Sequence, residues 1–310
     1  MHSFIIDTDT ASDDAVALLM ALHDPLTTIR AVTVVAGNVP LQLAIRNALS
    51  TLALGRGHDV AVYAGCAAPL VRQLETAQDV HGLDGMGGVS LPQRLRGTEI
   101  EHAVDALRRI SLDEPGQHSL VTLGPLTNIA AALTLDPWLL TRFKQVFMMA
   151  GAPDAVGNVN PVAEYNVWAD PEAAAIVLRA PGDKTMIGWN VSRSFAVIEP
   201  DDADRLRAAG PMGELICDIN GSVDRFCREV TNLPGYDLPD PVTMAVALDH
   251  DIVVRREALT LDVVLDGPAR GMTFANRLLT AGPANTKVVW EVDRERFFRR
   301  LLHLAAWPLG

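Results

Sequence analysis

Ile5-Ile6-Asp7-Thr8-Asp9-Thr10-Ala11-Ser12-Asp13-Asp14 is the segment that decides the fold, because it joins a predicted strand to a predicted helix. The apolar residues 4–6 predict the strand, and residues 13–23 predict the helix, with Ser12 placed as its N-cap. The same alternation of short apolar runs and helix-like stretches continues along the chain. Repeated β-α units of this kind predict an α/β fold, a mainly parallel open sheet with helices on both faces.

The remaining predicted elements follow this alternation. The predicted strands are residues 29–35, 61–63, 120–123, 146–149, 185–187, 261–265 and 288–292. The predicted helices are residues 41–54, 126–133, 171–178 and 294–305. Two stretches rich in Gly, Pro and Asn, residues 64–98 and 151–170, are long enough to predict functional loops. Because no linker or repeat separates the elements, we expect a single domain over residues 1–310.

Composition narrows the possible partners. The chain has 26 basic and 38 acidic residues and a net charge of -12, which disfavours binding to nucleic acid or to an anionic membrane. No apolar run approaches the ~20 residues that a membrane-spanning helix needs, and no leader-peptide pattern is visible. The three cysteines, Cys66, Cys217 and Cys227, form no CxxC pair, which is typical of a reduced protein. We therefore expect a cytoplasmic protein that acts on a small molecule.

The acidic residues of the opening segment have two interpretations. Asp13 and Asp14 fall in the first turn of the predicted helix, where free N–H groups stabilise carboxylates, so capping could account for them. Capping does not account for Asp7 and Asp9, which should lie at the carboxyl end of the strand, facing the crevice where parallel sheets bind ligands. Carboxylates that converge in such a crevice need a cation, and the lack of interleaved His or Cys favours calcium or magnesium over zinc.

Two classes of enzyme begin in this way. A strand followed by Asp-Thr-Asp-Thr resembles the start of haloacid-dehalogenase-type phosphatases, in which Asp7 would be the nucleophile, Asp9 the acid/base and magnesium the cofactor. That class does not need the second acidic pair, and the chain shows no late Gly-Asp-x-x-x-Asp motif. The pair Asp201-Asp202 is typical of an exposed helix start instead.

Further polar segments follow predicted strands. They are Val35-Ala36-Gly37-Asn38, His81-Gly82-Leu83-Asp84-Gly85, Leu123-Gly124-Pro125-Leu126-Thr127-Asn128, Met148-Met149-Ala150-Gly151, the run from Gly157 to Asn166 that leads into Asp170-Pro171-Glu172-Ala173, and Asp240-Pro241. With Asp7-Thr-Asp-x-x-x-Asp13-Asp14-Ala-x-Ala-Leu18, they resemble the nucleoside hydrolase family in content and order over about the first 250 residues. The resemblance implies hydrolysis of ribonucleosides to ribose and free base by a homo-oligomer, a dimer or tetramer.

The resemblance also implies a calcium site and a catalytic base. Asp9, Asp14 and Asp240 correspond to the carboxylate ligands of the family, and the backbone carbonyl of Leu123 to a fourth ligand. The ribose 2′- and 3′-hydroxyls and a water would complete the coordination. Asp9 would then be the general base that activates the metal-bound water for attack on the anomeric carbon.

A second group of residues corresponds to the ribose contacts of the family. Amide and carboxylate side chains suit this role because sugar hydroxyls both donate and accept hydrogen bonds. The reaction should pass through an oxocarbenium-like ribosyl centre, which nearby carboxylates stabilise. The implied substrate-binding residues are Asp13, Asn38, Asn158, Glu164, Asn166 and Asp240, with Met149 packed under the sugar.

The chain departs from the family where the base leaves. One branch has a His directly before the late Asp, thought to protonate the departing base, and another has a Trp; here the residue is Pro239. His81 and Tyr236, and more weakly Arg193, are the candidate replacements. The base preference therefore stays open, and so does an alternative function as a ribonucleoside-binding sensor or degenerate hydrolase without turnover.

Overall fold

The computed structural model describes residues 1–92, 97–278 and 282–309. The strands are β1 (His2–Thr8), β2 (Thr27–Val34), β3 (Ala61–Ala64), β4 (Ser119–Thr122), β5 (Val146–Met149), β6 (Lys184–Ile187), β7 (Val197–Ile198), β8 (Tyr236–Asp237), β9 (Val253–Val263), β10 (Thr273–Asn276) and β11 (Thr286–Val292).

Thirteen α-helices accompany these strands in the described ranges. They are α1 (Ser12–His23), α2 (Leu41–Leu54), α3 (Gln78–His81), α4 (Ala103–Asp113), α5 (Thr127–Leu135), α6 (Tyr165–Ala169), α7 (Pro171–Arg179), α8 (Trp189–Phe195), α9 (Pro200–Ala209), α10 (Pro211–Ile219), α11 (Gly221–Phe226), α12 (Pro239–Leu248) and α13 (Arg294–Ala305). Short 3-10 turns occupy Leu139–Arg142 and His250–Ile252, and a π-helical turn covers Cys227–Thr231. Among the residues described, no helix combines the length and apolarity needed to cross a membrane.

One nine-stranded sheet runs through the molecule in the order β10-β9-β11-β6-β5-β4-β1-β2-β3. The seven strands from β11 to β3 pair in parallel, and β9 pairs antiparallel with both β11 and β10. The predicted mainly parallel α/β sheet is therefore confirmed. The antiparallel edge was only partly predicted, because β9 begins at Val253 and ends before the predicted end at residue 265.

Alternate side chains of the buried strands enter two separate cores. Phe4 and Ile6 of β1 pack with α1, α2, α12 and α13, whereas Ile5 packs on the opposite face with α4, α5 and α7. Successive residues of a strand point to opposite faces, so a strand that is apolar at every position must be covered on both sides. The predicted helices on both faces follow from this requirement.

Helix α1 begins one residue earlier than predicted. Ser12 lies inside the helix and Ala11 is the N-cap residue, because the Asp14 carboxylate accepts a hydrogen bond from the Ala11 N–H at 2.9 Å. The Ser12 hydroxyl is thereby free for another partner. Asp202 is also unlike its prediction, since it is buried and forms an ion pair with Arg294 instead of lying exposed.

A buried lysine caps the C-terminal end of helix α7. Lys184 Nζ donates hydrogen bonds to the carbonyls of Val177, Leu178 and Ala180, and burial lowers the pKa of its ammonium group to about 8. Since the last carbonyls of a helix have no partner within the helix, this side chain satisfies groups that would otherwise be buried without one.

Replacing this lysine tests its contribution to stability. We expect Lys184→Met to lower the free energy of unfolding by about 1–3 kcal/mol, because the buried carbonyls lose their donor while the volume is kept. Urea unfolding followed by circular dichroism measures the change. The same substitution at the exposed Lys144 is the control, and an equal effect at both sites would contradict the interpretation.

Candidate active site

A cavity of about 440 Å³ opens at the carboxyl edge of the parallel strands. Asp13, Asn38, Leu123 and Met149 reach it from the residues that end or follow β1, β2, β4 and β5. The predicted site residues that line the cavity are Asp13, Asn38, His81, Leu123, Met149, Asn158, Glu164, Asn166 and Asp240. The structure therefore brings together in one crevice residues that lie far apart in the sequence, as parallel-sheet topology predicts.

Three buried carboxylates converge at the floor of this cavity. Asp13, Asp14 and Asp240 each offer an oxygen, and these oxygens all lie within 4.8 Å of one another. Burial raises the pKa of Asp13 to about 7 and of Asp14 to about 6. Burial, and then the charge of Asp14, also raises the pKa of Asp240. Such a cluster is costly unless protons or a cation neutralise it.

Asp9 lies beside this group in a closely fitted position. It is fully buried, its Oδ2 accepts a hydrogen bond of 2.6 Å from the Asn38 N–H, and its Oδ1 has no donor among the described residues. Burial and the charge of Asp14 raise its pKa. A Cβ on Gly37 would lie 2.1 Å from Asp9 Oδ2, and one on Gly124 would lie 2.6 Å from Oδ1. Glycines at both positions thus make room for the carboxylate.

This donor set fits a hard divalent cation. All the side chains of the group are carboxylates, and Asp9 Oδ1 and Asp13 Oδ1 have no hydrogen-bond donor in the described part of the chain. Oxygen ligands without His or Cys favour calcium or magnesium. Asp13 was predicted to be a ribose contact only, but it lies within the oxygen group that could hold a metal, whereas Asp9 lies next to that group.

The polar wall above the acidic group is held by main-chain contacts. Glu164 caps α6, accepting hydrogen bonds from the N–H groups of Asn166 at 2.6 Å and Gly151 at 2.7 Å, and burial raises its pKa to about 7. Asn166 Nδ2 donates to the Leu123 carbonyl at 2.7 Å. The Oδ1 atoms of Asn166 and Asn158 are buried without a donor among the described residues. Both atoms are free to accept hydrogen bonds from sugar hydroxyls.

His81 is a buried residue of the cavity. It ends α3, and its Nδ1 lies 3.0 Å from the Ser12 hydroxyl and 3.7 Å from Asp13 Oδ1. Burial lowers its pKa to about 4, so the imidazole is neutral near pH 7. In a neutral imidazole one ring nitrogen donates and the other accepts a hydrogen bond, and either Nδ1 or the Ser12 hydroxyl can be the donor between them. A neutral His81 is therefore a hydrogen-bonding group rather than a strong acid.

Two residues considered from the sequence lie outside the cavity lining. Tyr236 does not line the cavity: its side chain is buried in the core and its hydroxyl contacts Cys217 Sγ at 3.6 Å, which corrects its prediction as a substrate contact. Arg193 is also absent from the lining and pairs with Asp154.

Asp7 does not face the crevice that Asp9 serves. It is fully buried and accepts hydrogen bonds from Thr33 Oγ1 at 2.6 Å and Asn128 Nδ2 at 2.8 Å, joining β1 to β2 and α5. Burial raises its pKa to about 7. A phosphatase nucleophile must reach its substrate, so this placement removes the phosphatase alternative.

Sequence reasoning missed the other half of the cavity. This wall is largely apolar and comes from α6, α8, α11 and the π-helical turn. Its members are Tyr165, Trp168, Trp189, Val223, Phe226, Cys227, Val230, Thr231, Asp237 and Pro239. Of these residues, Pro239 was considered individually from the sequence and Tyr165 fell within the run from Gly157 to Asn166. The others were missed because helices α8 and α11 carry no motif and their approach to the sheet depends on tertiary packing.

The cavity combines aromatic side chains with a group of carboxylates, which suits a sugar joined to a heteroaromatic base. The family model of the inosine-uridine preferring nucleoside hydrolases matches residues 4–299, and the chain belongs to this family. It is an N-glycosyl hydrolase of ribonucleosides.

Several members resemble it over their whole length. The pyrimidine-specific ribonucleoside hydrolase RihB of Escherichia coli (strain SE11) is 34% identical over 299 residues, which cover 96% of this chain and 95% of that protein. The structure of a purine-preferring ribonucleoside hydrolase from Gardnerella vaginalis superposes with a TM-score of 0.90 at 30% identity, covering 98% of both chains. The plant nucleoside hydrolase PpNRh1 gives a TM-score of 0.93 at 31% identity over 99% of both.

A methyl group at position 37 tests the fit of Asp9. We expect Gly37→Ala to lower kcat/KM at least about 100-fold, because its Cβ would lie 2.1 Å from Asp9 Oδ2 and 2.6 Å from Pro125 Cδ and would displace the carboxylate. Gly97→Ala is the matched control, since a Cβ there meets nothing within 4 Å. Circular dichroism verifies folding; full activity of a folded Gly37→Ala protein would contradict the close fit.

The raised pKa values predict how calcium affects stability at different pH. Without metal, Asp13 and Asp14 have folded-state pKa values of about 7 and about 6 against 3.8 in the unfolded chain, so the folded state binds more protons in this window. The contribution of these groups to stability therefore falls as pH rises from about 4 to about 7. A bound cation removes that penalty.

We accordingly expect saturating calcium to raise Tm by about 5 °C or more at pH 8 and by clearly less at pH 5. Thermal scans with calcium and with chelator measure the difference. Asp240→Asn should reduce the gain, while Asp201→Asn, at an exposed position, should keep it. A gain equal at both pH values would argue against neutralisation of this cluster.

Proposed function

We propose that the chain hydrolyses the N-glycosidic bond of ribonucleosides in a calcium-dependent reaction in which Asp9 is the general base. The observation that carries the proposal is the convergence of Asp13, Asp14 and Asp240 within 4.8 Å, with Asp9 buried beside them. Asp9, Asp14, Asp240 and the Leu123 carbonyl would hold the ion, and Asp13 is close enough to join them. Calcium would supply Lewis acidity that makes water a better nucleophile near neutral pH.

Asp9 is suited to accept a proton. Its Oδ1 has no hydrogen-bond donor in the described chain, while Oδ2 is fixed by the Asn38 N–H. One oxygen thus orients the carboxylate and the other is available to take a proton from the water that attacks C1′. The neighbouring carboxylates also stabilise positive charge that develops on the ribose as the base departs.

The sugar would be oriented by the polar wall. Asn158 Oδ1 and Asn166 Oδ1 are unpaired acceptors, Glu164 is rigidly held by main-chain N–H groups, and Asn38 lines the same side. Fixed acceptors of this kind bind hydroxyl groups at little entropic cost. Met149 Sδ, 3.2 Å from Asn166 Nδ2, completes this side of the cavity and would pack against the sugar.

The base would occupy the aromatic half of the cavity. The relatives described above differ in the base they are named for, pyrimidine or purine, so the family alone does not assign a preference. His81 would form a hydrogen bond through a ring nitrogen to the base or to the sugar. We further propose a cytoplasmic homo-oligomer; the three unpaired thiols, Cys66, Cys217 and Cys227, are compatible with a reducing compartment.

Release of reducing sugar from inosine, adenosine, guanosine, uridine and cytidine tests the function. We expect turnover with calcium and its loss with chelator, restored when calcium is added back. Asp9→Asn should lower kcat by about 10²–10⁴-fold because the isosteric amide cannot accept the proton. Asp201→Asn, the same exchange at an exposed site, should leave kcat unchanged.

The same experiment distinguishes a hydrolase from a ribonucleoside-binding sensor. A sensor would bind ribonucleosides with calcium but release no ribose, and Asp9→Asn would then change nothing in turnover. Turnover that persists in chelator, or an Asp9→Asn protein as active as the Asp201→Asn control, would contradict the proposed roles of calcium and Asp9.

A further inference from the structure

Asp237 is a buried carboxylate in the aromatic half of the cavity. Its side chain lines the cavity close to Pro239 in the chain. Oδ2 accepts hydrogen bonds from Trp189 Nε1, at 2.8 Å, and from the Ser192 hydroxyl, while Oδ1 contacts Cys227 Sγ at 3.5 Å. All three partners are neutral groups, so none of them neutralises a charge on this carboxylate.

No Lys or Arg lies among the residues lining the cavity. Two guanidinium groups do pack on its aromatic residues: Arg270 lies 3.9 Å from the Trp168 ring centroid and Arg193 lies 5.8 Å from that of Trp189. Each is already paired with a carboxylate, Arg270 with Glu75 and Arg193 with Asp154. No ion pair joins Asp237 to a Lys, Arg or His among the described residues, and a buried carboxylate is stabilised by a cation brought to it.

The position directly before Asp240 offers no proton to the leaving base. Pro239 has no ionisable group there, and Oδ2 of the nearby Asp237 already accepts hydrogen bonds from Trp189 and Ser192. When a neutral base departs, its glycosidic nitrogen keeps the electron pair of the broken bond and has to be protonated. A base that is already positively charged becomes neutral on keeping that pair, so it needs no proton.

We propose that the cavity selects ribosides whose heteroaromatic base carries a positive charge, such as N-ribosylpyridinium compounds and N7-alkylated purine ribosides, and that Asp237 recognises this charge. The proposal rests on the proposed ribohydrolase function and assigns its substrate class. Asp237 supplies charge attraction, and the rings of Trp189, Phe226 and Tyr165 supply cation–π contacts to a flat cation.

The reaction with such a substrate balances without an acid. Water adds its oxygen to C1′, one of its protons passes to Asp9, and the C1′–N bond breaks with both electrons going to the ring nitrogen. The products are ribose and a neutral base, and the proton on Asp9 is returned to solvent. Asp237 favours binding of the charged substrate; it transfers no proton.

Paired substrates provide the test. We would measure kcat/KM with calcium for 7-methylguanosine against guanosine, and for nicotinamide riboside against uridine, in the wild-type protein, Asp237→Asn and Asp201→Asn. The ratio of charged to neutral substrate corrects for general effects of a variant on activity. We expect Asp237→Asn to lower both ratios about tenfold or more, the effect of one charge at short range in a partly dry site, and Asp201→Asn to leave them unchanged.

A second measurement needs no variant and involves no bond cleavage. 1-Methylnicotinamide and nicotinamide differ by one methyl group and one positive charge, and both can be tested as competitive inhibitors of the wild-type enzyme. We expect the cation to bind about tenfold more tightly, and to lose part of that advantage as salt is raised. This comparison is independent of the greater intrinsic reactivity of charged ribosides.

The outcomes test the assigned substrate class separately from the proposed ribohydrolase function. The assigned substrate class would be overturned by two results together. The ratios of kcat/KM for charged over neutral substrate in Asp237→Asn would stay within twofold of wild type, and 1-methylnicotinamide and nicotinamide would inhibit equally. If calcium-dependent release from neutral nucleosides persisted in that case, the proposed ribohydrolase function would stand. Failure to release ribose from either substrate class in the presence of calcium would overturn both.

Discussion

Mutual repulsion of buried carboxylates is the constraint on which this structure depends. Oxygens of Asp13, Asp14 and Asp240 are held within 4.8 Å of one another, and all three side chains are buried. The free-energy cost of holding these carboxylates together is offset by apolar packing on both faces of the nine-stranded sheet. Such a site is pre-organised, because the surrounding fold fixes the oxygens in position before any ligand arrives. Glycines at positions 37 and 124 extend the same logic to Asp9, because a side chain at either position would displace its carboxylate.

The sequence was most informative where local pattern and topology agree. Strand β5 and helices α2 and α13 have the predicted bounds, and polar residues that follow strands meet in the crevice, because parallel strands end at one edge. The family resemblance supplied the roles within that crevice. Sequence patterns did not predict helix α4 or the aromatic wall of the cavity. Neither carries a recognisable motif, and the position of the wall depends on tertiary packing.

The error at Tyr236 has a simple physical reason. Tyr236 and Asp237 are neighbours on the short strand β8, and successive side chains of a strand point to opposite sides. The residue of this strand that lines the cavity is Asp237, while Tyr236 turns into the core. Without the pairing of β8 with β7, nothing in the sequence fixes which of the two side chains faces inward.

The long separation between the acidic residues also affects how the protein is made. Asp9, Asp13 and Asp14 leave the ribosome early, whereas Asp240 is translated only after β1 to β8, and the strand β11 that completes the parallel sheet comes later still. No nascent chain that ends before Asp240 contains the full set of acidic oxygens. An ion that needs all of them can bind only after Asp240 has been synthesised. Its binding would therefore follow folding of most of the sheet and would not direct the earlier steps of folding.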